Sequence, residues 1–438
     1  MKKGDERALP EGRLEERFEE KYAAYSHGEA LAEASRCLYC VDAPCMRACP
    51  THIDIATFIK KIASGNLAGS AKTILSANLL GASCARVCPV EVLCEGSCVY
   101  VAWGRTPIAI GRLQRHAMDH GASPELLTKK PDSGRSVGLI GAGPASLACA
   151  GTLALLGHRA VIYEKSAVPG GLNTSGVAPY KMDAQTALAE VDFIRALGVE
   201  IQTGKEVGRN LSAGELLERH DAIFLGIGLG PDSRLIAPGA DGPGVHGAVD
   251  WIARMKLDPK HSLEGVTRAA VIGGGNTAID AARELRGLGV PDVKLVYRRG
   301  EAEMSGYEHE WNEAKQEGVV LVSNALVSEV VRTGKRVNAL ALVRAEAGNP
   351  TDQRLDPLPV DLVLVATGQA KLRDLAALFH GVQLDSKGRI SADSSTGQTG
   401  NPRVFTGGDA MNGGKEVVNA AAEGQNAARA IDALLAAR

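Results

Sequence analysis

SVGLIGAGPASLACAGTLALLGHRAVIYEK, Ser136–Lys165, is the stretch that decides the fold. An apolar strand runs into a Gly-rich turn, a small-residue helix follows, and a second apolar strand ends on an acid. This is the opening βαβ of a dinucleotide-binding domain. Gly141, Gly143 and Ser146 fill a G-x-G-x-x-small pattern. Gly141 permits the tight turn, Gly143 lets a pyrophosphate approach the backbone, and the small Ser146 lets helix pack on strand. The helix start, with Ala145 and Ser146 in its first turn, offers unsatisfied N–H groups and a positive dipole end. Glu164 closes the next strand, where a carboxylate binds ribose hydroxyls, and Lys165 stands beside it.

The plan repeats in AAVIGGGNTAIDAARELRGLGVPDVKLVYRR, Ala269–Arg299. Gly273, Gly275 and Ala278 fill the same pattern, and Gly274, Asn276 and Thr277 complete the turn. Here the second strand ends on Tyr297, Arg298 and Arg299 with no acid. Arginine at this place accommodates a 2′-phosphate, which favours NADPH over NADH. A merely solvated strand end is the plainer reading of the two arginines. Two further strand-plus-glycine segments, AIFLGIGLG (Ala222–Gly230) and DLVLVATGQ (Asp361–Gln369, with Gly368), bracket the second motif. The simplest architecture is α/β, with one dinucleotide domain inserted into another and these segments as crossings. The boundaries expected are 134–249 and 363–438 for the outer domain and 250–362 for the inserted one. LTKKPDSGR (Leu127–Arg135) reads as the linker from a first unit, residues 1–133. In that unit the charged run from Glu11 to Leu38 and the stretch Ile53 to Leu80 read as helical.

Eight of the nine cysteines fall in the first unit. Cys37, Cys40, Cys45 and Cys49 run C-x2-C-x4-C-x3-C-P; Cys84, Cys88, Cys94 and Cys98 run C-x3-C-P-x4-C-x3-C. Thiolates so spaced, with Pro directly after one Cys, suit iron–sulfur clusters. Structural zinc also fits the spacing, whereas disulfides do not suit an intracellular chain. Function separates the two metals. A flavin domain with an NADPH domain takes in two electrons as hydride, and those electrons must leave. Cys149 is the only cysteine beyond Cys98, so neither nucleotide domain holds a redox Cys pair. Clusters provide the exit; zinc has no redox chemistry.

Composition narrows the class. The chain has 438 residues, 49 Lys+Arg against 51 Asp+Glu, and 45% hydrophobic residues. It can bury a large core and carries no basic footprint for nucleic acid or an anionic membrane. No apolar run reaches the roughly 18 residues of a membrane span, and no apolar core follows the first lysines as in a signal peptide. The expectation is a cytoplasmic protein that binds neither membrane nor nucleic acid. The ten His show no ligand or triad spacing, and no acid–base residue is assigned, because the cofactor carries hydride chemistry.

Together these motifs resemble a known family. EALAEASRCLYCVDAPCMRACPTHIDIATFI, GASCARVCPVEVLCEGSC, GAGPASLACA, GGGNTAIDAAREL, VYRRGEAEM and GGDAMNGGKEVVNAAAEGQNAARAID are similar to the NADPH-dependent glutamate synthase small subunit and to the N-terminal half of dihydropyrimidine dehydrogenase. The resemblance runs from about Glu29 to Ile431. It implies FAD in the outer domain, NADPH or NADH in the inserted one, and two 4Fe–4S clusters. By motif, Cys37, Cys40, Cys45 and Cys98 would hold one cluster. Cys49, Cys88 and Cys94 would hold the other, completed by Gln114 of PIAIGRLQ, which leaves Cys84 spare although its spacing alone suggests a ligand. For FAD the resemblance adds Gly170, Gly171, Leu172, Val207, Gly408, Asp409 and Val418. Asp409 would hydrogen-bond the ribityl chain, and the helix at Val418 would face the flavin's pyrimidine edge. It implies an electron-input subunit in a hetero-oligomer. Ending at Arg438, the chain leaves no room for an FMN barrel or an amidotransferase domain, so a separate catalytic subunit is expected. FLGIGLG and NGGKEVVNA lean toward dihydropyrimidine dehydrogenase; VYRRGEAEM fits glutamate synthase equally well, and its large subunit is the alternative partner.

Overall fold

The computed structural model describes residues 9–437. Seven helices carry the cysteine region: α1 His27–Ser35, α2 Pro44–Ala48, α3 Ile55–Ala63, α4 Leu67–Ala77, α5 Gly81–Val87, α6 Val99–Ala102 and α7 Ile110–Gly121. Local sequence sets their starts. Ser26 and Glu29 form a capping box on α1, and Asp54 and Asn66 cap α3 and α4 with their side chains. Ile55, Phe58, Ile59 and Ile62 recur at helical spacing on α3 and are all buried. The expected helical run from Glu11 is different in the structure. Among the described residues a single 3-10 turn, Leu14–Arg17, precedes α1. Glu15/Glu19 and Glu16/Glu20 put like charges one helical turn apart, which disfavours a helix there.

After the linker the chain runs β1 Ser136–Ile140, α8 Pro144–Leu155, β2 Arg159–Tyr163, α9 Leu172–Ser175, α10 Ala184–Ala196, β3 Glu200–Gln202, α11 Ala213–Arg219 and β4 Ala222–Leu225. The second motif brings β5 Val245–Gly247, α12 Ala248–Leu257, β6 Arg268–Ile272, α13 Asn276–Gly287, β7 Asp292–Val296, α14 Glu308–Gln316 and β8 Val320–Val322. Then come β9 Ala325–Thr333, β10 Arg336–Glu346, β11 Asn349–Pro359 and β12 Leu362–Val365. The chain closes with α15 Arg373–Ala377, β13 Val404–Thr406, α16 Asp409–Asn412 and α17 Val417–Ala436.

Two five-stranded parallel sheets result, ordered β13-β4-β1-β2-β3 and β5-β12-β6-β7-β8, with an antiparallel sheet β11-β10-β9 between β8 and β12 in sequence. In each parallel sheet the strand before the Gly-rich turn is central. β1 pairs with both β2 and β4, and Val137 faces Ala160 on one side and Ala222 on the other. Strands buried on both faces read as continuous apolar runs, and these do.

The chain divides into two compact units. One holds the second motif: residues 230–370, the excursion 175–183, and the described part of the first twenty residues. The other holds residues 21–174, 184–229 and 371 onward, so the cysteine helices and the first nucleotide domain form a single unit. Two of the cuts, at 229/230 and 370/371, fall in or beside the two strand-plus-glycine segments; the excursion at 175–183 has no signal in the sequence. Placement of residues 9–20 also differs from the expected 1–133 unit. Leu14 is buried in the second-motif core, and Glu15 pairs with the fully buried Lys256 of α12 at 3.3 Å.

Candidate functional site

Cys37 follows α1, Cys45 lies in α2 and Cys98 immediately precedes α6. With Cys40 they line one pocket, whose remaining wall includes Ala43, Pro44, Ile55 and Ile59. Burial raises the Cys37 thiol and pushes that of Cys45 up to about 11. Cys49 and Cys88 close α2 and α5. A hydrogen bond with Cys84, burial, and the neighbouring Cys94 and Cys49 push the Cys88 thiol well up. Burial, then Glu95 and Cys49, do the same for Cys94. The structure therefore gathers Cys49, Cys88 and Cys94, with Cys84 beside them. Cys84 is buried and accepts from Asn78 Nδ2 at 3.2 Å. Gln114 on α7 donates from Nε2 to Gly81 O at 2.8 Å, which puts its side chain against the start of α5. Among the described residues no group of three or more His, Cys, Asp or Glu is set to hold a single metal ion. Four thiols ringing a pocket in this way suit a polynuclear cluster.

At the first nucleotide motif the glycines are required by shape. Gly141 has φ +86°, and a Cβ there would lie 2.6 Å from Gly226 O. A Cβ at Gly143 would meet nothing within 4 Å, and as N-cap of α8 this glycine offers no side-chain bond to the helix N–H groups. Open space over a bare helix start is what an approaching pyrophosphate needs. Gly170 donates its N–H to Ala142 O at 3.0 Å. Gly171, at φ +58°, stands where a Cβ would be 2.7 Å from Gly143 Cα, so the two glycine turns pack backbone on backbone. Leu172 opens α9 and is exposed, as is Lys165.

Glu164 is buried and accepts from Ala142 N and Ser166 N, both at 2.7 Å. Those bonds shape the turn, and each carboxylate oxygen keeps a lone pair for a ribose hydroxyl. Lys205 N donates to Glu164 O at 2.8 Å, which draws the segment with the buried Val207 alongside. Gly408 (φ +70°) would bring a Cβ 3.0 Å from that of Ala145, so the Gly-Gly-Asp turn abuts α8. Gly408 N donates to Glu423 at 2.6 Å, and Lys415 N donates to Asp409 Oδ1 at 3.2 Å. Burial raises the carboxyls of both Asp409 and Glu423. Val418 on α17 is buried in the core that contains Cys49, Cys84 and Cys98. Ser146 Oγ and Asn173 Oδ1 are buried at these turns with no hydrogen-bond partner in the protein. Orphaned polar atoms beside an open glycine turn fit a dinucleotide such as FAD.

The second motif repeats the shape in its own unit. A Cβ at Gly273 would lie 2.5 Å from Ala366 O, one at Gly274 would strike the Tyr297 ring at 2.6 Å, and Gly275 leaves α13 without a side-chain cap. Asn276 Oδ1 accepts from Tyr307 N at 2.8 Å, which fixes the turn, and Thr277 follows it. Arg298 is exposed and Arg299 half-exposed; a Cβ at Gly348, in the β10–β11 turn, would lie within 3.6 Å of both side chains. Gly368 (φ +111°) has open space around it, and its carbonyl accepts from Ser233 N at 2.9 Å. This donor set fits a second dinucleotide.

Sequence reasoning did not find Glu190, Ser83, Asn173 or Glu423, which hold these turns and helices in place. No motif spacing marks them, since their partners are distant or main-chain.

The fold and these sites define a pyridine-nucleotide flavoprotein carrying a cysteine-rich domain. Comparison with known proteins makes the class specific. The family described as dihydropyrimidine dehydrogenase domain II, 4Fe-4S cluster, matches residues 14–125. The pyridine nucleotide-disulphide oxidoreductase family matches residues 135–424. The chain is 35% identical to the glutamate synthase [NADPH] small chain of Escherichia coli K12, over 94% of this chain and 93% of that one. It is 36% identical to the NAD-dependent dihydropyrimidine dehydrogenase subunit PreT of Escherichia coli O157:H7, over 92% and 93%. Among solved structures, T. acidophilum thioredoxin reductase superposes with a TM-score of 0.55 at 22% identity, over 68% of this chain and 98% of that one, a likeness of fold. The chain belongs to the family of the glutamate synthase small chain and the PreT subunit: NAD(P)H-dependent flavin and iron–sulfur oxidoreductases that act as electron-input subunits. No helix among the described residues is long and apolar enough to cross a membrane.

Proposed function

We propose that this chain feeds electrons from NADPH, through FAD and two 4Fe–4S clusters, to a separate catalytic subunit that reduces pyrimidines. When bound, FAD would supply the exchange between the two-electron chemistry of a nicotinamide hydride and the one-electron chemistry of iron–sulfur clusters. The residues' work is to bind and orient. The start of α8 would hold the FAD pyrophosphate, Glu164 its ribose, Asp409 the ribityl chain, and the start of α17 the pyrimidine edge. The start of α13 would hold the nicotinamide dinucleotide, with Arg298 and Arg299 on a 2′-phosphate. Cys37, Cys40, Cys45 and Cys98 would bind one cluster; Cys49, Cys88, Cys94 and Gln114 the other.

One observation carries this reading. The cysteine helices and the flavin turns belong to one compact unit, and Val418 shares a core with Cys49, Cys84 and Cys98. Electrons arriving at the flavin turns thus meet the cysteine domain directly. The relatives divide on the nucleotide, NADPH for one and NAD for the other; the two arginines favour NADPH. They also divide on the partner. GIGLG at Gly226–Gly230 and the PreT identity support a pyrimidine-reducing chain. The 35% identity over 94% of the chain supports the glutamate synthase large subunit as the second reading.

An anaerobic absorption titration tests the core of the proposal. Flavin peaks over a broad brown band should both bleach with NADPH, and less readily with NADH, with iron and sulfide at about eight atoms each per chain. Flavin bleaching over a colourless background would overturn it. Adding each candidate partner and following substrate-dependent NADPH oxidation then decides between the two readings.

A further inference from the structure

Glu190 lies on α10, in the first nucleotide domain, yet its carboxylate is buried against the cysteine domain. Oε1 accepts from the main-chain N–H groups of Ala82 (2.9 Å) and Ser83 (3.1 Å), and Oε2 bonds the Ser83 hydroxyl. Ala82 and Ser83 open α5, the helix that carries Cys84 and ends at Cys88. The same hydroxyl accepts from Asn173 Nδ2 at 3.1 Å, and Asn173 follows the Gly170-Gly171-Leu172 turn. One carboxylate and one hydroxyl thus join three segments: the flavin turn, α10 and the cysteine helix. Arg86 of α5 acts on the carboxylate by its charge, and its guanidinium is itself engaged by Asp119 of α7 at 2.9 Å. Gly81, which leads into these donors, is also the residue whose carbonyl receives Gln114 Nε2 at 2.8 Å.

A buried carboxylate is costly unless its bonds are satisfied, and a merely structural contact between two helices needs only apolar side chains. Here the acceptor is spent on the start of the helix that presents Cys84 and Cys88, and its hydroxyl partner is spent on the flavin turn. We propose that Glu190, acting through Ser83 and Asn173, is a positioning residue that fixes the cysteine helix against the flavin turn and so sets the rate at which electrons pass between them. This rests on the electron-input reading above and goes beyond it in naming what holds the two centres in register. Burial pushes the Glu190 carboxyl up to about 7, so glutamine resembles its neutral form and is the mild replacement, leucine the severe one.

The test uses the full holoprotein under anaerobic stopped flow, reading flavin and cluster absorbance separately after mixing with NADPH. In Glu190→Leu the flavin phase should stay within twofold of the native rate while the cluster phase slows at least tenfold. Glu190→Gln should recover part of the loss, and Ser83→Ala should show a smaller slowing of the same phase. Hydrogen exchange at the Ala82 and Ser83 amides should accelerate in step. Native-rate cluster reduction in both Glu190→Leu and Ser83→Ala would overturn the proposal, as would unchanged protection of the two amides. If Glu190→Leu does not fold, Ser83→Ala carries the same readouts. A native protein with a bleaching flavin and no reducible cluster would instead refute the electron-input reading, and the amide protection would still decide whether Glu190 locks the helix.

Discussion

Two glycines that pack backbone on backbone make opposite predictions. Gly143 has φ −78° and nothing within 4 Å of a virtual Cβ, so alanine fits the protein there and obstructs only a ligand. Gly171 has φ +58°, and its Cβ would lie 2.7 Å from Gly143 Cα, so alanine strains the fold itself. Left-handed backbone at a non-glycine residue costs about 1–3 kcal/mol, whereas Gly→Ala at an N-cap costs about 1 kcal/mol or less. Gly143→Ala should therefore unfold near the native temperature when stripped of flavin, yet bind FAD at least tenfold more weakly. Gly171→Ala should lose both stability and flavin. Thermal melts of apo protein and fluorescence titration with FAD separate the two; equal destabilisation of both would contradict the open-space reading of Gly143. Gly143 and the cysteines are legible in the sequence because each acts with neighbours a few residues away. Glu190 is not, because its donors lie 107 and 108 residues off along the chain. Cys84 is a third kind of case: spacing suggests a ligand, the family resemblance leaves it spare, and the structure puts it beside Cys88, held by Asn78.

Among elements, the central pair of the second sheet is tied by one side chain. Asp361, just before β12, accepts from Thr267 N and Oγ1 and from Arg268 N and Nη2, at 2.8 to 3.1 Å, at the start of β6. The Arg268 guanidinium, then the Thr267 donors, hold its carboxyl down to about 2. A depressed carboxylate stabilises fully above its unfolded value near 4, and that stabilisation is lost as pH falls toward 2. Because Asp361 is itself partly open to solvent, screening trims the worth of its bonds to about 1 kcal/mol. Asp361→Ala should lower stability by that amount at pH 7, with the gap narrowing below pH 4, read from urea midpoints of the nucleotide unit. A gap independent of pH would mean packing, not charge, is lost. The parallel strands were easy to read, since burial on both faces leaves them uniformly apolar. The N-terminal segment was not. Its scarcity of helix breakers reads as a helix despite the like charges one turn apart, but Leu14 and Glu15 are committed to the second-motif unit, and such long-range docking leaves no periodic trace.

On the scale of the whole molecule, the division into units predicts which functions fail together. The cysteine helices share their core with Val418 and pack through α5 against α10 and α17, within the unit that holds the flavin turns. The second nucleotide motif has its own core and sheet. A small domain whose core includes metal-binding thiols draws folding energy from the metal, so removing iron should loosen α5 first, then the flavin turns it braces. Oxidative iron depletion should therefore speed FAD release at least tenfold and lower the first unfolding transition, while NADP+ affinity stays within about threefold of native. FAD fluorescence, calorimetry and NADP+ titration on the same depleted sample provide the check. If NADP+ binding collapses along with FAD, the nucleotide unit depends on the iron–sulfur domain and the division drawn from the fold is wrong. If FAD stays bound as tightly as before, the shared core at Val418 does not couple the two centres. Independent behaviour of the nucleotide unit would also fit two relatives whose names differ in the nicotinamide, NADPH in one and NAD in the other: under the proposed reading that choice would fall to Arg298 and Arg299, in a unit that can change without disturbing the flavin turns.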